Sequence, residues 1–114
     1  MTAQITEYHA HIYYDPSSTR DVAERLHEEA GRLFTIRLGR MHDQPVGPHP
    51  QAMFQIAFTP ELFDKLVPWL MLNRRELTVL VHPETGRPRS DHLHHAFWMG
   101  YILPLKAEVL PETD

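Results

Sequence analysis

The order of strand and helix patterns along the chain predicts an α+β fold with the ferredoxin-like topology β-α-β-β-α-β. Four short segments alternate apolar and polar residues, which is typical of strands that bury one face. Two further segments carry apolar residues at helical spacing, one after the first strand and one after the third. In this topology, an antiparallel sheet carries both helices on one face.

The first strand is predicted at residues 6–14 and the first helix at residues 19–31. Because side chains alternate along a strand, the apolar residues share one face: Ala10, Ile12 and Tyr14. The opposite face carries the polar and aromatic ones: His9, His11 and Tyr13. We expect Ser17 or Ser18 to cap the helix and Gly31 to end it.

The other strands follow from the same alternation: residues 33–41, 52–58 and 77–82. A second helix is predicted between the last two of these strands, with Thr59 as its cap and Pro60 at its first position. Its buried stripe consists of four residues: Leu62, Leu66, Trp69 and Leu70. The final apolar run, residues 101–110, is expected to form an edge strand.

Size and composition exclude several classes of protein. The chain has 114 residues, which fits a single domain over residues 1–114. A net charge of −4 with no basic run argues against binding to a nucleic-acid backbone. No cysteine is present, so thiolate chemistry is excluded. No apolar run suits a membrane span and the N-terminal pattern is not that of a signal peptide, so we expect a cytoplasmic protein.

Nine histidines are present, and the predicted topology brings some of them together. With strands one and three taken as central and parallel, and strand four beside strand one, His82 would lie near the start of strand one. His49 would enter strand three at the same end of the sheet. The candidate metal ligands are therefore His9, His11, His49 and His82. Imidazole binds Fe, Zn, Cu and Ni, although these side chains could also be polar residues on a wet sheet face.

A second group of polar residues follows strand four. On a helical turn, His92 and His95 would share a side, and Asp91 could orient the His92 ring. The alternative is a polar loop before the apolar anchor at residues 97–99. Arg37, if it lies on the histidine face, could bind a substrate carboxylate.

Four ordered motifs resemble those of the DOPA 4,5-dioxygenase family: HAHIYYD at 9–15, GPHP at 47–50, HPETG at 82–86 and DHLHHAFWMG at 91–100. This family is known from fungal pigment synthesis and from small bacterial relatives. The resemblance covers about residues 7–103. It implies a ferredoxin-like fold and extradiol opening of a catechol ring by O2 with non-haem Fe(II), on a substrate such as DOPA or a related aromatic acid.

The resemblance also implies roles for individual residues. The matching metal-site candidates are the four histidines of the sheet: His9, His11, His49 and His82. His92 and His95 match acid–base or substrate-contacting residues. By alternation we assign Glu7 to the other face of the first strand, and Asp43 and Asp91 to loops. The ligand set is therefore all histidine, or some of the four histidines only neighbour the ligands. Zn or another divalent metal could replace Fe(II) in a purified sample.

Two other functions remain open. The chain could be a non-catalytic metal- or small-ligand-binding module on the same fold. It could also be a protein-interaction module whose open sheet face forms a dimer. A homodimer is expected of the enzyme too, because a partner would cover the open face and could close the pocket.

Overall fold

The structure is a computed structural model that describes residues 4–111. It contains five strands: β1 (Glu7–Tyr14), β2 (Arg37–Leu38), β3 (Ala52–Phe58), β4 (Val79–Glu84) and β5 (Phe97–Met99). It contains three α-helices: α1 (Arg20–Leu33), α2 (Phe63–Asn73) and α3 (Pro88–Leu93). Short 3-10 turns precede α2 and follow β5: Pro60–Leu62 and Ala107–Val109. None of the helices formed by residues 4–111 has both the length and the apolar character needed to cross a membrane.

The strands form one sheet in the order β2-β3-β1-β4-β5, and all neighbouring strands are antiparallel. This order confirms the predicted ferredoxin-like arrangement. The parallel pairing predicted for strands one and three was wrong. The helical crossover leaves β2 parallel to β1, and β3 returns beside β2, so β3 must run antiparallel to β1.

Because β3 is antiparallel to β1, the loop that precedes β3 lies at a different end of the sheet from the one predicted. Ala52, the first residue of β3, pairs with Tyr14 at the end of β1. His82 pairs with His9 near the beginning of β1. The backbone of His49 is therefore near the opposite end of β1 from His82, and not at the same end as predicted.

The main core lies between the sheet and the helices α1 and α2. The apolar faces of β1, β3 and β4 are buried there, and so are residues of both helices, whereas the apolar residues of the predicted second strand, Phe34, Ile36 and Leu38, are only partly buried. The fully buried members include Ile12, Leu26, Phe54, Ile56, Leu66, Leu70 and Val79. Burial of each such side chain contributes about 1.5–3 kcal/mol to folding. This packing holds one face of β1 against the helices. Because side chains alternate along a strand, the residues between the buried ones point to the opposite face of the sheet.

Three local predictions were wrong. Gly31 lies inside α1, where a Cβ atom would meet Leu38 Cδ2 at 3.0 Å, so it permits close packing and does not end the helix. Thr19, and neither Ser17 nor Ser18, precedes α1, and it makes no side-chain cap; its hydroxyl oxygen accepts a bond from the Asp15 N–H at 2.8 Å. The edge strand is β5 and not residues 101–110, since Gly100 has a positive φ of 89° that turns the chain away after β5.

Candidate metal centre

A cluster of imidazoles lies on the sheet face opposite α1 and α2. His11 in β1 and His82 in β4 are diagonal neighbours, and their Nε2 atoms are 3.0 Å apart. The His49 ring centre is 4.2 Å from that of His11, and the His92 ring centre is 3.9 Å from that of His82. The first three residues are buried, and His92 is partly buried. Four imidazoles therefore share one largely dry space.

His49 reaches the cluster from the loop before β3. Its backbone N–H donates to the carbonyl of Val46, and its Nδ1 lies 2.6 Å from the buried hydroxyl of Tyr13. The ring extends back over the sheet toward His11. The predicted convergence of His11, His49 and His82 is observed, although the reason given for it was wrong.

His92 joins the cluster from α3, the short helix that sequence reasoning treated only as a possible helical turn. Its Nδ1 donates to the carbonyl of Pro88 at 2.7 Å, so its Nε2 carries the free lone pair. Asp91 does not orient His92 as predicted. Its carboxylate lies 3.2 Å from Nδ1 of His95, which belongs to neither of the histidine groups described below.

His9 lies beside the cluster but is held by carboxylates. Its Nε2 is 2.8 Å from Glu7 Oε1, and its Nδ1 is 2.9 Å from Glu84 Oε1. The assignment of Glu7 to the other face was wrong, because residues 7 and 9 share a face of β1 by alternation. Arg37 donates two hydrogen bonds to Glu7, at 2.8 and 2.9 Å. The bonds from Arg37 and His9 lower the pKa of Glu7 to about 2.

Arg37 lies on the predicted face. Arg37 of β2 and His9 of β1 pair with the same residue of β3, so their side chains point to the same face of the sheet. Its side chain is 71% exposed and its bonds go to Glu7. It is thus separated from the cluster by His9 and Glu7.

Burial keeps the clustered imidazoles neutral. It lowers the pKa of His11 well below its ordinary value, and neighbouring imidazoles lower it further. Burial also lowers the pKa of His49 to about 4 and that of His82 to about 3. The pKa of His92 is lowered for the same reason. Metal binding requires the neutral form of imidazole, so these four side chains are prepared as ligands at neutral pH.

The donor set fits a metal ion. Within the described residues, two histidine triads place one ligand atom each within 4.8 Å of one another: His9, His11 and His82, and His11, His49 and His92. His11 belongs to both triads, and its Nδ1 is buried without a hydrogen-bond partner. A buried unpaired polar atom is costly unless something else satisfies it. The carbonyl bonds to Nδ1 of His82 and His92 are the outer contacts that metal-binding histidines usually make.

Tyr13 is a positioning residue for His49, and its hydroxyl can be removed with little change in volume. We expect Tyr13→Phe to weaken divalent-metal binding by about 10- to 100-fold, because the His49 ring loses the hydrogen bond that orients its Nδ1. Competition with a chromophoric chelator measures the affinity. The matched control is Tyr14→Phe, which removes a hydroxyl bonded to Asp43 on the other face. Equal affinities for the two variants would contradict the role of Tyr13.

The fold and the cluster define a small α+β protein with a buried set of neutral imidazoles that could hold a metal ion. The Dopa 4,5-dioxygenase family model matches residues 8–109, nearly the whole chain. The chain therefore belongs to the Dopa 4,5-dioxygenase family.

Individual relatives agree with this assignment. A DOPA 4,5-dioxygenase of Amanita muscaria is 32% identical over an alignment of 120 positions, which covers 97% of this chain and 52% of that protein. An uncharacterized 21.2 kDa protein of Botryotinia fuckeliana is 39% identical, over 86% of this chain and 60% of that protein. The chain thus spans 52% to 60% of the length of these curated relatives.

A crystal structure of a protein from Nostoc punctiforme, named provisionally as a dioxygenase, has the same fold. It is similar with a TM-score of 0.89 and 52% sequence identity. The match covers 92% of this chain and 90% of that one. The arrangement of the five-stranded sheet and its helices is therefore shared with a closely similar solved protein.

Proposed function

We propose that the protein is an extradiol dioxygenase that uses Fe(II) and O2 to open the ring of a catechol-bearing acid such as DOPA. The observation that carries the proposal is the buried cluster of neutral imidazoles, in a chain of the Dopa 4,5-dioxygenase family. A bound Fe(II) would supply adjacent binding positions for the catechol oxygens and O2.

The proposed ligands come from the four clustered histidines: His11, His49, His82 and His92. The triad of His11, His49 and His92 suits a metal better than the triad that includes His9, because both ring nitrogens of His9 already face carboxylates. His82 adjoins the favoured triad through the 3.0 Å approach of its Nε2 to His11. His92, first expected to act in proton transfer, is in this proposal a ligand.

Proton transfer is assigned to His9. Flanked by Glu7 and Glu84, its ring can hold a proton or pass one beside His82, 5.2 Å away between ring centres. Arg37 stays the proposed contact for a substrate carboxylate, since a guanidinium has five N–H groups and only two bond to Glu7. His95 stays a proposed acid–base residue, although it lies outside the cluster.

The test is oxygen uptake by the Fe(II)-reconstituted protein with DOPA and other catechol acids. We expect uptake of O2 together with a yellow ring-opened product. The control substrate is the matching acid with a single ring hydroxyl, which cannot bind through two adjacent oxygens. A protein that binds Fe(II) but consumes no O2 with any catechol would contradict the proposal. That result would favour the second candidate, a non-catalytic metal- or small-ligand-binding module, which the deep burial of His11 and His82 also suits.

We also propose a homodimer. The chain itself covers part of the face that was expected to be open, with Trp98, Leu103 and Leu105 packed against Tyr13 and its neighbours. The segment beyond β5 nevertheless exposes Tyr101 and Ile102, at 75% and 80%. Such residues are available for contact with a second copy. A monomeric mass at micromolar concentration in light scattering would contradict the dimer.

A further inference from the structure

A cavity of about 500 Å³ lies at the end of the sheet where β1 begins and β4 ends, on the side of α2. Its volume is in the range of sites for small organic molecules, about 300–1,000 Å³. The walls are mainly apolar: Ile5, Tyr8, Phe63, Val81, Pro83 and Phe97. Of the four clustered histidines, only His82 lines it. The cavity therefore borders the candidate metal centre at His82 alone among these four residues.

Three aromatic rings shape the walls. The ring centres of Tyr8 and Phe63 are 4.7 Å apart at 49°, and those of Phe63 and Phe97 are 6.5 Å apart at 71°. An added planar ring can pack against these rings in the offset or edge-on arrangements that aromatic pairs prefer. Phe97 is 37% exposed, although it is an aromatic residue of a strand. An aromatic ligand would cover it.

The polar corner of the cavity is preorganised. The carboxylate of Asp91 is fully buried and accepts bonds from the Thr85 N–H at 2.8 Å and the Thr85 hydroxyl at 2.6 Å. The same carboxylate accepts a bond from Nδ1 of His95. The His95 ring is thereby oriented, and its Nε2 is the nitrogen left for a ligand. The Thr85 hydroxyl already donates its proton to Asp91, so it does not donate that proton to a ligand.

We propose that this cavity binds a small neutral phenol, with its ring among Tyr8, Phe63 and Phe97 and its hydroxyl on Nε2 of His95. A phenolic hydroxyl can donate and accept, so it pairs with imidazole in either role. No lysine or arginine is among the described residues that line the cavity, so a carboxylate ligand would be buried without a cation. The proposal goes beyond the ring-opening function, because it involves neither the metal nor a second ring hydroxyl, and it gives His95 a binding role in addition to the acid–base role proposed above.

The test is titration of the full chain, as purified, with 4-methylphenol, followed by two-dimensional NMR of the backbone and aromatic groups. We expect saturable binding at a ratio of one to one, with the largest shifts at the cavity residues: Tyr8, Phe63, His95 and Phe97. Toluene, which lacks the hydroxyl, should bind about 3- to 10-fold more weakly. Because 4-methylphenol has one hydroxyl and no O2 is consumed, the result is independent of catechol turnover.

Two variants separate the ring and hydroxyl contacts. Phe97→Leu should weaken binding of both 4-methylphenol and toluene, whereas His95→Phe should remove the preference for 4-methylphenol over toluene. Both positions are partly exposed, and thermal unfolding verifies that each variant is folded. His94→Gln, at an exposed position away from the cavity lining, is the control and should bind as wild type. The proposal is overturned by absence of saturable binding, by shifts centred on His11 and His49, or by equal affinity for toluene.

Discussion

Replacement of His11 by glutamine is expected to abolish tight divalent-metal binding and, with it, catechol ring opening. His11 is the only residue shared by the two histidine triads, so its loss breaks both of them. Loss of an outer hydrogen bond to a metal-binding histidine already costs about 10- to 100-fold in affinity. Loss of the ligand itself should cost at least about 100-fold, and ring opening should fall below detection at micromolar Fe(II).

The measurement needs a readout that does not depend on activity. Binding of Co²⁺ or Zn²⁺ is measured by competition with a chelator, and O2 uptake with DOPA is measured on the same preparation. The matched control is His94→Gln, because His94 is exposed and outside both triads. Wild-type metal affinity in the His11 variant would show that the cluster is not the metal site. If activity were lost in the same variant, His11 would be assigned a role in substrate binding.

The strand alternation allowed the faces of the sheet to be predicted from the sequence. Burial of Ile12 on one side of β1 dictates that His11 points to the other, and β3 has the bounds that its alternation predicts. Strand direction is not contained in alternation, since it depends on how the connections cross the sheet. For that reason the predicted position of the His49 backbone was wrong, although the His49 ring does reach the cluster.

The carboxylate partners of His9 and the position of His92 were not predicted from the sequence, for two different reasons. The register pairs Glu7 with Glu84 in the row next to His9, and a correct count of alternation would have placed both carboxylates on its face. The position of His92 depends on the turn at Gly86 and on the bonds between Thr85 and Asp91. Such long-range docking of a six-residue helix has no periodic signal in the sequence.

The metal-free protein is expected to lose stability steeply as the pH falls below about 6.5. The clustered histidines have pKa values near 6.5 when unfolded, whereas burial lowers the folded values to about 4 for His49 and about 3 for His82. Below pH 6.5 the unfolded chain therefore binds protons that the folded chain does not. The part of the folding stability that depends on these neutral histidines is fully present above about pH 6.5, and it is lost progressively as the pH falls to about 3.

The expected slope follows from the number of protons. Each proton bound only by the unfolded chain lowers the free energy of unfolding by about 1.4 kcal/mol per pH unit. His49 and His82 together account for two such protons, or roughly 2.7 kcal/mol per pH unit near pH 5, and His11 and His92, whose pKa values are lowered in the same direction, add to this slope. Urea unfolding at a series of pH values between 7 and 4 measures this slope, after removal of metal with a chelator.

A substitution separates the cluster from the other acid-sensitive groups. His49→Gln should reduce the slope by about one proton, because glutamine does not titrate, whereas the exposed control His94→Gln should leave it unchanged. Added Zn²⁺ should shift the loss of stability to lower pH, since the metal binds the neutral imidazoles of the folded state in competition with protons. A free energy of unfolding that stays constant from pH 7 to pH 5 would mean that the clustered imidazoles are not dry and neutral. The chemical basis for a preorganised metal centre would then be lost as well.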